Sequence, residues 1–214
     1  MGSTLTAFTP AACLAGALNP ITKTKMETIT RNIVRVRGTS EVLYRFTTYP
    51  IIFQKAEGAL GALCGHLRAA FVGGLPGGTE DSPSQARELL LKHEAVRHHL
   101  LTKYAAAANY EGKGSGQHWA VQQYLLANDP HTLAVEVPVW GQGKEGCMDI
   151  VQWLPEGKGR IVIADFKPEV HKCAGQAMTQ LFWYRAMLAE CTGIALANFE
   201  CLAFDNRHCY RLLG

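Results

Sequence analysis

Nowhere among its 214 residues does this chain run through the roughly 20 consecutive apolar residues that a membrane-spanning helix requires. Its opening, "MGSTLTAFTPAACLAGALNP", is small and apolar, but no Lys or Arg precedes it and Pro10 interrupts it, so the pattern of a secretory leader is missing. No C-x-x-C pair occurs either. The seven cysteines, Cys13, Cys64, Cys147, Cys173, Cys191, Cys201 and Cys209, make an odd count that fits reduced, mostly buried thiols in a cytoplasmic protein better than a disulfide framework. His66, His93, His98, His99, His131, His171 and His208 show no zinc-ligand spacing with those cysteines. Neither "GGLPGG" nor "GKGSG" carries the Gly-Lys-Ser/Thr of a phosphate-binding loop, which leaves ATP hydrolysis without support.

Charge is also sparse. Charged residues are 18% of the chain and the formal net charge is +3, too little by itself to mark a polyanion-binding protein. The distribution is uneven, however: residues 1–79 hold eight Lys or Arg against three Glu, and the remainder is mildly acidic. A basic surface opposite an acidic site is the arrangement expected when one region grips phosphate and another holds metal. The hydrophobic content of 48% is that of a globular protein, and the length suits one principal domain with a smaller accessory segment.

In "TRNIVRVRGTSEVLYRFTTYPIIF", Arg35 and Arg37 alternate with Val34 and Val36, so both guanidinium groups leave one face of a strand before Gly38 turns the chain. These arginines are candidates for nucleic-acid contact, and an ordinary solvated strand face is the plain alternative. A short helix is expected in "QKAEGALGALCGHLRAAF". The Gly- and Pro-rich "VGGLPGGTEDSPS" then suggests a boundary near residue 80, dividing a basic accessory segment, 1–80, from a core, 81–214. Beyond it the leucines of "PSQARELLLKHEAVRHHLLTKYAAAANY" fit the stripe of a long helix capped by Ser82 or Ser84. A second helix is expected in "QHWAVQQYLLAND", stopped by Pro130. Three strands follow, "TLAVEVPVW", "GCMDIVQWL" and "RIVIADFKP", then a helix, "AGQAMTQLFWYRAMLAECTG", and the strand pair "ANFECLAF" and "CYRLL". The order αβββαβ implies an α/β (α+β) fold with a mixed central sheet flanked by helices.

Two carboxylates break the apolar strands. Asp149 lies inside "GCMDIV", and Asp165 ends the run Ile161–Ala164. An ionised carboxylate buried there costs several kcal/mol unless a cation compensates it. Lys167 supplies one positive charge, because residues two apart on a strand share a face. One lysine cannot neutralise two aspartates, and a divalent ion with oxygen ligands, of the kind Mg²⁺ prefers, would complete the balance. The triplet [D/E]-x-K is itself weak, since "EGK" recurs at 111–113 and 156–158 in Gly-rich turns. Only Asp165–Lys167 sits on an apolar strand with a second carboxylate on the strand before it.

His118 after a Gly-rich approach, Asp149, Asp165 with Lys167, and Gln180 with Tyr184 in "QLFWY" occur together in an order that resembles the PD-(D/E)XK nucleases, in particular their RecB-like, lambda-exonuclease-like group. The resemblance covers about residues 110–212 and implies a restriction-endonuclease-like core. It implies that His118, Asp149 and Asp165 hold Mg²⁺ or Mn²⁺, that Lys167 orients or activates the attacking water, and that Gln180 and Tyr184 support the site and the DNA. Glu136 in "AVEVPVW" matches a glutamate often present on the first strand of such cores. Some of the group hold an iron–sulfur cluster on closely spaced C-terminal cysteines, a spacing that Cys191, Cys201 and Cys209 lack. The activity implied is phosphodiester hydrolysis of DNA by an exonuclease or a structure-selective endonuclease, with a homodimer as one way to cut both strands. RNA cleavage by the same residues, or nucleic-acid binding without turnover, are the alternatives. For His118 the plain alternative is a local hydrogen bond at a helix start; for Gln180 and Tyr184, four residues apart on one helix face, it is a polar pair at the edge of the core.

Overall fold

The computed structural model describes residues 29–37, 40–48, 58–73, 82–108, 115–156 and 159–214; in 29–48, 71–73 and 115–116 it describes the backbone alone. The expectations for the N-terminal 28 residues and for Gly38 fall outside the described residues. Arg35 and Arg37 lie on a described strand, but their side chains are outside the description.

Strands β1 (Ile29–Arg37), β2 (Ser40–Thr48), β3 (His93–Ala95), β4 (Thr132–Gly141), β5 (Lys144–Leu154), β6 (Arg160–Phe166), β7 (Phe199–Phe204) and β8 (Cys209–Leu212) form one sheet in the order β1-β2-β4-β5-β6-β7-β8-β3. The pairing of β6 with β7 is parallel and the others are antiparallel. That single parallel step requires a crossover, and α4 (Ala174–Thr192) provides it. The expected αβββαβ order is present as α3 (Ser115–Asn128), β4, β5, β6, α4 and β7.

Alternation along β6 sets the layers. Ile161 and Ile163 face one core with Met178, Leu181 and Leu188 of α4, whereas Val162, Ala164 and Phe166 face the other, with Val121 and Leu125 of α3 and Leu101 of α2 (Leu100–Ala107). A central strand buried on both faces reads as a continuous apolar run, which is how "IVIA" reads. The helix α4 ends where Gly193 takes a φ of 68° and its N–H returns to the Ala189 carbonyl, a left-handed C-terminal cap that glycine adopts without a side-chain clash.

Two expectations are corrected. The long helix over 83–110 does not form: a 3-10 turn at Pro83–Gln85 leads into extended chain and β3, and helix resumes only at Leu100. Local periodicity loses here to tertiary hydrogen bonds. The Leu89 backbone amide donates to Thr179 Oγ1, the Gln176 side-chain Nε2 donates to the Ala86 carbonyl, and the Leu213 backbone amide donates to the Lys92 carbonyl. Leu91 then packs on the core while Leu90 stays in solvent, the period of two of an extended chain.

The division near residue 80 is likewise not a structural boundary among the described residues. β2 pairs with β4 at Thr47↔Val135 and Thr48↔Ala134, and α1 (Gly58–Gly73) places Leu63 and Leu67, both fully buried, in the same core as α4. Leu67→Ala should therefore lower the unfolding free energy of the whole chain by about 2–5 kcal/mol in a urea titration. An unchanged transition would show that α1 is an appendage.

Candidate active site

The ladder between β5 and β6 runs from Leu154↔Arg160 to Ile150↔Ala164 and stops. The next residues are Asp149 and Asp165, so both carboxylates sit where the two strands part. Asp149 Oδ2 accepts a hydrogen bond from the Phe166 amide at 3.0 Å, taking the place of a ladder bond that the parting strands no longer make. The same oxygen lies 3.2 Å from His118 Nδ1 on α3. Lys167 follows the end of β6, where its amide donates to the Phe204 carbonyl of β7. Its ammonium lies 3.1 Å from Asp165 Oδ1 and 3.0 Å from Oδ2.

Burial divides the labour of these groups. Asp165 is 1% exposed, and its Oδ2, although beside the ammonium, has no aligned hydrogen-bond donor. Burial, and then the charge of Asp149, push the Asp165 carboxyl up to about 7 despite Lys167. Burial opposes ionisation of Asp149 as well, but the His118 hydrogen bond, the Lys167 charge and the Phe166 amide outweigh it and hold that carboxyl below its ordinary value. Conversely, burial would lower His118 and Lys167, and the neighbouring carboxylates raise both. The result is one firmly ionised carboxylate, a second balanced near neutrality, and a lysine held as a cation.

Glu136, on β4, faces the same place from the next strand. Its φ of 54° is left-handed, and both carboxylate oxygens are engaged: Gln122 of α3 donates to Oε1 at 2.5 Å and the Cys147 thiol to Oε2 at 3.3 Å. Burial and then Asp149 raise its pKa. Gln122 was not singled out in the sequence, although its position four residues after His118 puts both on one face of α3.

Gln180 and Tyr184 are brought together, but inside the protein. Gln180 donates to the Tyr184 hydroxyl at 2.8 Å, and Tyr184 is 3% exposed. Its ring lies against the backbone of Gly146 on β5, where an added Cβ would come within 2.6 Å of Tyr184 Cε1. The implied contact of Tyr184 with DNA does not fit this burial, and the alternative of a polar pair at the core edge does: the ring packs α4 against the strand that carries Asp149. Burial and then the Asp165 charge raise its hydroxyl pKa, so it stays a neutral donor and acceptor.

No protein-family model, curated protein or solved structure matches this chain. The chemistry of the site rests on its residues.

They fit a hard divalent ion. Two adjacent buried carboxylates, one with an oxygen lacking an aligned donor, face a single lysine, and Mg²⁺ is commonly held by one or two carboxylates while it keeps several waters. His118 stands behind Asp149 as its hydrogen-bond partner. Among the described residues, the group of three that brings its ligand atoms within 4.8 Å of one another is a different one, His171, Asp205 and His208. The described cysteines are free thiols, and Cys201 and Cys209 are pushed up to about 12, chiefly by burial. No helix of the described residues is long and apolar enough to cross a membrane.

The folded chain keeps the Asp165 proton up to about pH 7, whereas unfolded chain releases it near the ordinary 3.8. Between those values the folded state binds more protons and loses stability as pH rises. Asp149 acts in the opposite sense, with stability lost only as pH falls below 3.8. In chelator-treated protein, the stability of wild type relative to Asp165→Asn should therefore decline from about pH 4 to pH 7 and then level off. Urea titrations across that range measure it, and a pH-independent difference would contradict the assigned burial.

Proposed function

We propose that this chain is a metal-dependent deoxyribonuclease of the PD-(D/E)XK type, with a restriction-endonuclease-like core. The observation that carries the reading is the meeting of Asp149, Asp165 and Lys167 where β5 and β6 part, with His118 bonded to Asp149. Mg²⁺ or Mn²⁺ bound at the two carboxylates would supply the charge that polarises a phosphodiester oxygen and lowers the pKa of a water.

The chain's own groups do the rest. Asp149, pinned by the Phe166 amide and His118, presents a carboxylate of fixed orientation. Asp165 presents the second, and its partial protonation near neutrality makes the site favour cations as pH rises. The Lys167 ammonium, partly exposed beside Asp165, adds positive charge where the phosphate gains negative charge in the transition state, and preorganised charge is most effective there. Gln180 and Tyr184 act as positioning residues by holding α4 to β5 through Gly146. Arg35 and Arg37, on β1 at the outer edge of the same sheet, would extend a basic surface for the DNA backbone.

Circular and end-labelled linear DNA, single- and double-stranded, incubated with Mg²⁺ or Mn²⁺, tests the reading and separates exonuclease from endonuclease action. Asp165→Ala and Lys167→Ala should each reduce cleavage by about 100-fold or more. Full cleavage by Asp165→Ala would defeat the mechanism. Cleavage of RNA alone would move the substrate and keep the site, and binding without cleavage by wild type in both metals would leave a non-catalytic module.

A further inference from the structure

The loop between Lys167 and α4 meets the turn between β7 and β8, and the two bring three metal-binding side chains together. Asp205, 4% exposed, follows the last residue of β7 and opens the turn "DNRH". Its Oδ1 accepts the Arg207 and His208 amides, both at 2.6 Å, and its Oδ2 accepts the Val170 amide at 3.1 Å from the opposite loop. Three backbone donors thus fix this carboxylate, and against burial the His208 and Arg207 amides, with the His208 side chain, hold its pKa low. Its Oδ2 also lies 3.1 Å from His208 Nδ1. The His208 ring is tilted against the ring of His171, with centroids 4.9 Å apart. His171 is exposed and His208 partly so, and the ligand atoms of all three residues lie within 4.8 Å of one another.

We propose that His171, Asp205 and His208 form a second metal site, selective for a borderline divalent transition ion of the Zn²⁺ class, which ties the Lys167 loop to the β7–β8 turn. The donor chemistry differs from that at the parted strands. Imidazole nitrogen suits Zn²⁺ and its neighbours, whereas oxygen-only sites suit Mg²⁺. Bonds of about 2.0–2.2 Å at a tetrahedral angle place two ligand atoms about 3.3–3.6 Å apart, so rotations of the two accessible rings close the cluster on an ion. The buried carboxylate need not move, because its backbone amides have already oriented it. Two imidazoles and one carboxylate leave a fourth position of a tetrahedral ion for water. The ion would fasten Val170 and His171, three and four residues after Lys167, to the end of the strand that pairs in parallel with β6.

This inference stands independently of the proposed nuclease activity, and its test needs no substrate. Chelator-treated protein is dialysed against ZnCl₂ in the presence of millimolar Mg²⁺, with His171→Ala, His208→Ala and the double variant Asp149→Asn/Asp165→Asn alongside wild type. Wild type should bind one Zn²⁺ that Mg²⁺ does not displace. Replacing an outer partner of a metal ligand typically weakens binding by about 10–100-fold, so losing a ligand should cost at least about tenfold in each histidine variant. Asp149→Asn/Asp165→Asn should bind Zn²⁺ like wild type. Zn²⁺ should also raise the melting temperature of wild type and not of His171→Ala, a variant at an exposed position whose metal-free melting temperature should match wild type. Zn²⁺ binding that survives loss of either histidine, or that disappears in Asp149→Asn/Asp165→Asn, would overturn the assignment.

Discussion

The structure depends on where two strands stop pairing. Beyond Ile150 and Ala164 the ladder between β5 and β6 ends, and the Phe166 amide that would otherwise face a carbonyl is answered by the Asp149 carboxylate. A buried amide left without an acceptor would cost free energy of the order of a lost hydrogen bond, about 1–3 kcal/mol. Satisfying it with a charged side chain fixes that side chain's direction. Asp165 then faces a neighbouring negative charge in a dry setting, and Lys167 is drawn to it. His118, Glu136 and Gln122 gather around the same opening because α3 packs directly over it.

Surrounding layers keep that opening in place. Parallel pairing of β6 with β7 requires the chain to cross over, so α4 must lie against the sheet, and its Tyr184 seats on the one residue of β5 that offers no side chain there. Gly146 and Tyr184 are in this sense a single device. It sets the height of α4 above the strand that carries Asp149, using a buried aromatic ring and one hydrogen bond rather than a charge.

Strands β4 to β8 and the helices α3 and α4 that flank them were legible because their signals are local: apolar runs bounded by Gly and Pro for β4, β5 and β6, and a Gly stop for α4. The carboxylates were legible because a charge inside such a run demands a partner. What the sequence concealed has a common cause, namely contacts between distant segments. Residues 86–95 carry leucines at helical spacing yet run extended, because Thr179 and Gln176 of α4 and the backbone of residue 213 take their hydrogen bonds. The division near residue 80 was suggested by a Gly-Pro stretch whose two flanks share one core. Tyr184 could be read as a contact for DNA or as half of a polar pair at the core edge; its burial depends on Gly146, nearly 40 positions earlier in the chain. His171 and His208 had no informative spacing, since the turn at Asp205 is what brings them together.

On the function proposed above, the Asp149 and Asp165 carboxylates at the parted strands hold a divalent ion. Crystals equilibrated with Mn²⁺ and measured at a wavelength where manganese scatters anomalously would test it most directly. An anomalous peak is expected within bonding distance, about 2.2 Å, of an oxygen from each carboxylate, and no such peak in Asp165→Asn crystals. Mn²⁺ bound elsewhere on the protein, with none between Asp149 and Asp165 at a pH where both are ionised, would contradict it.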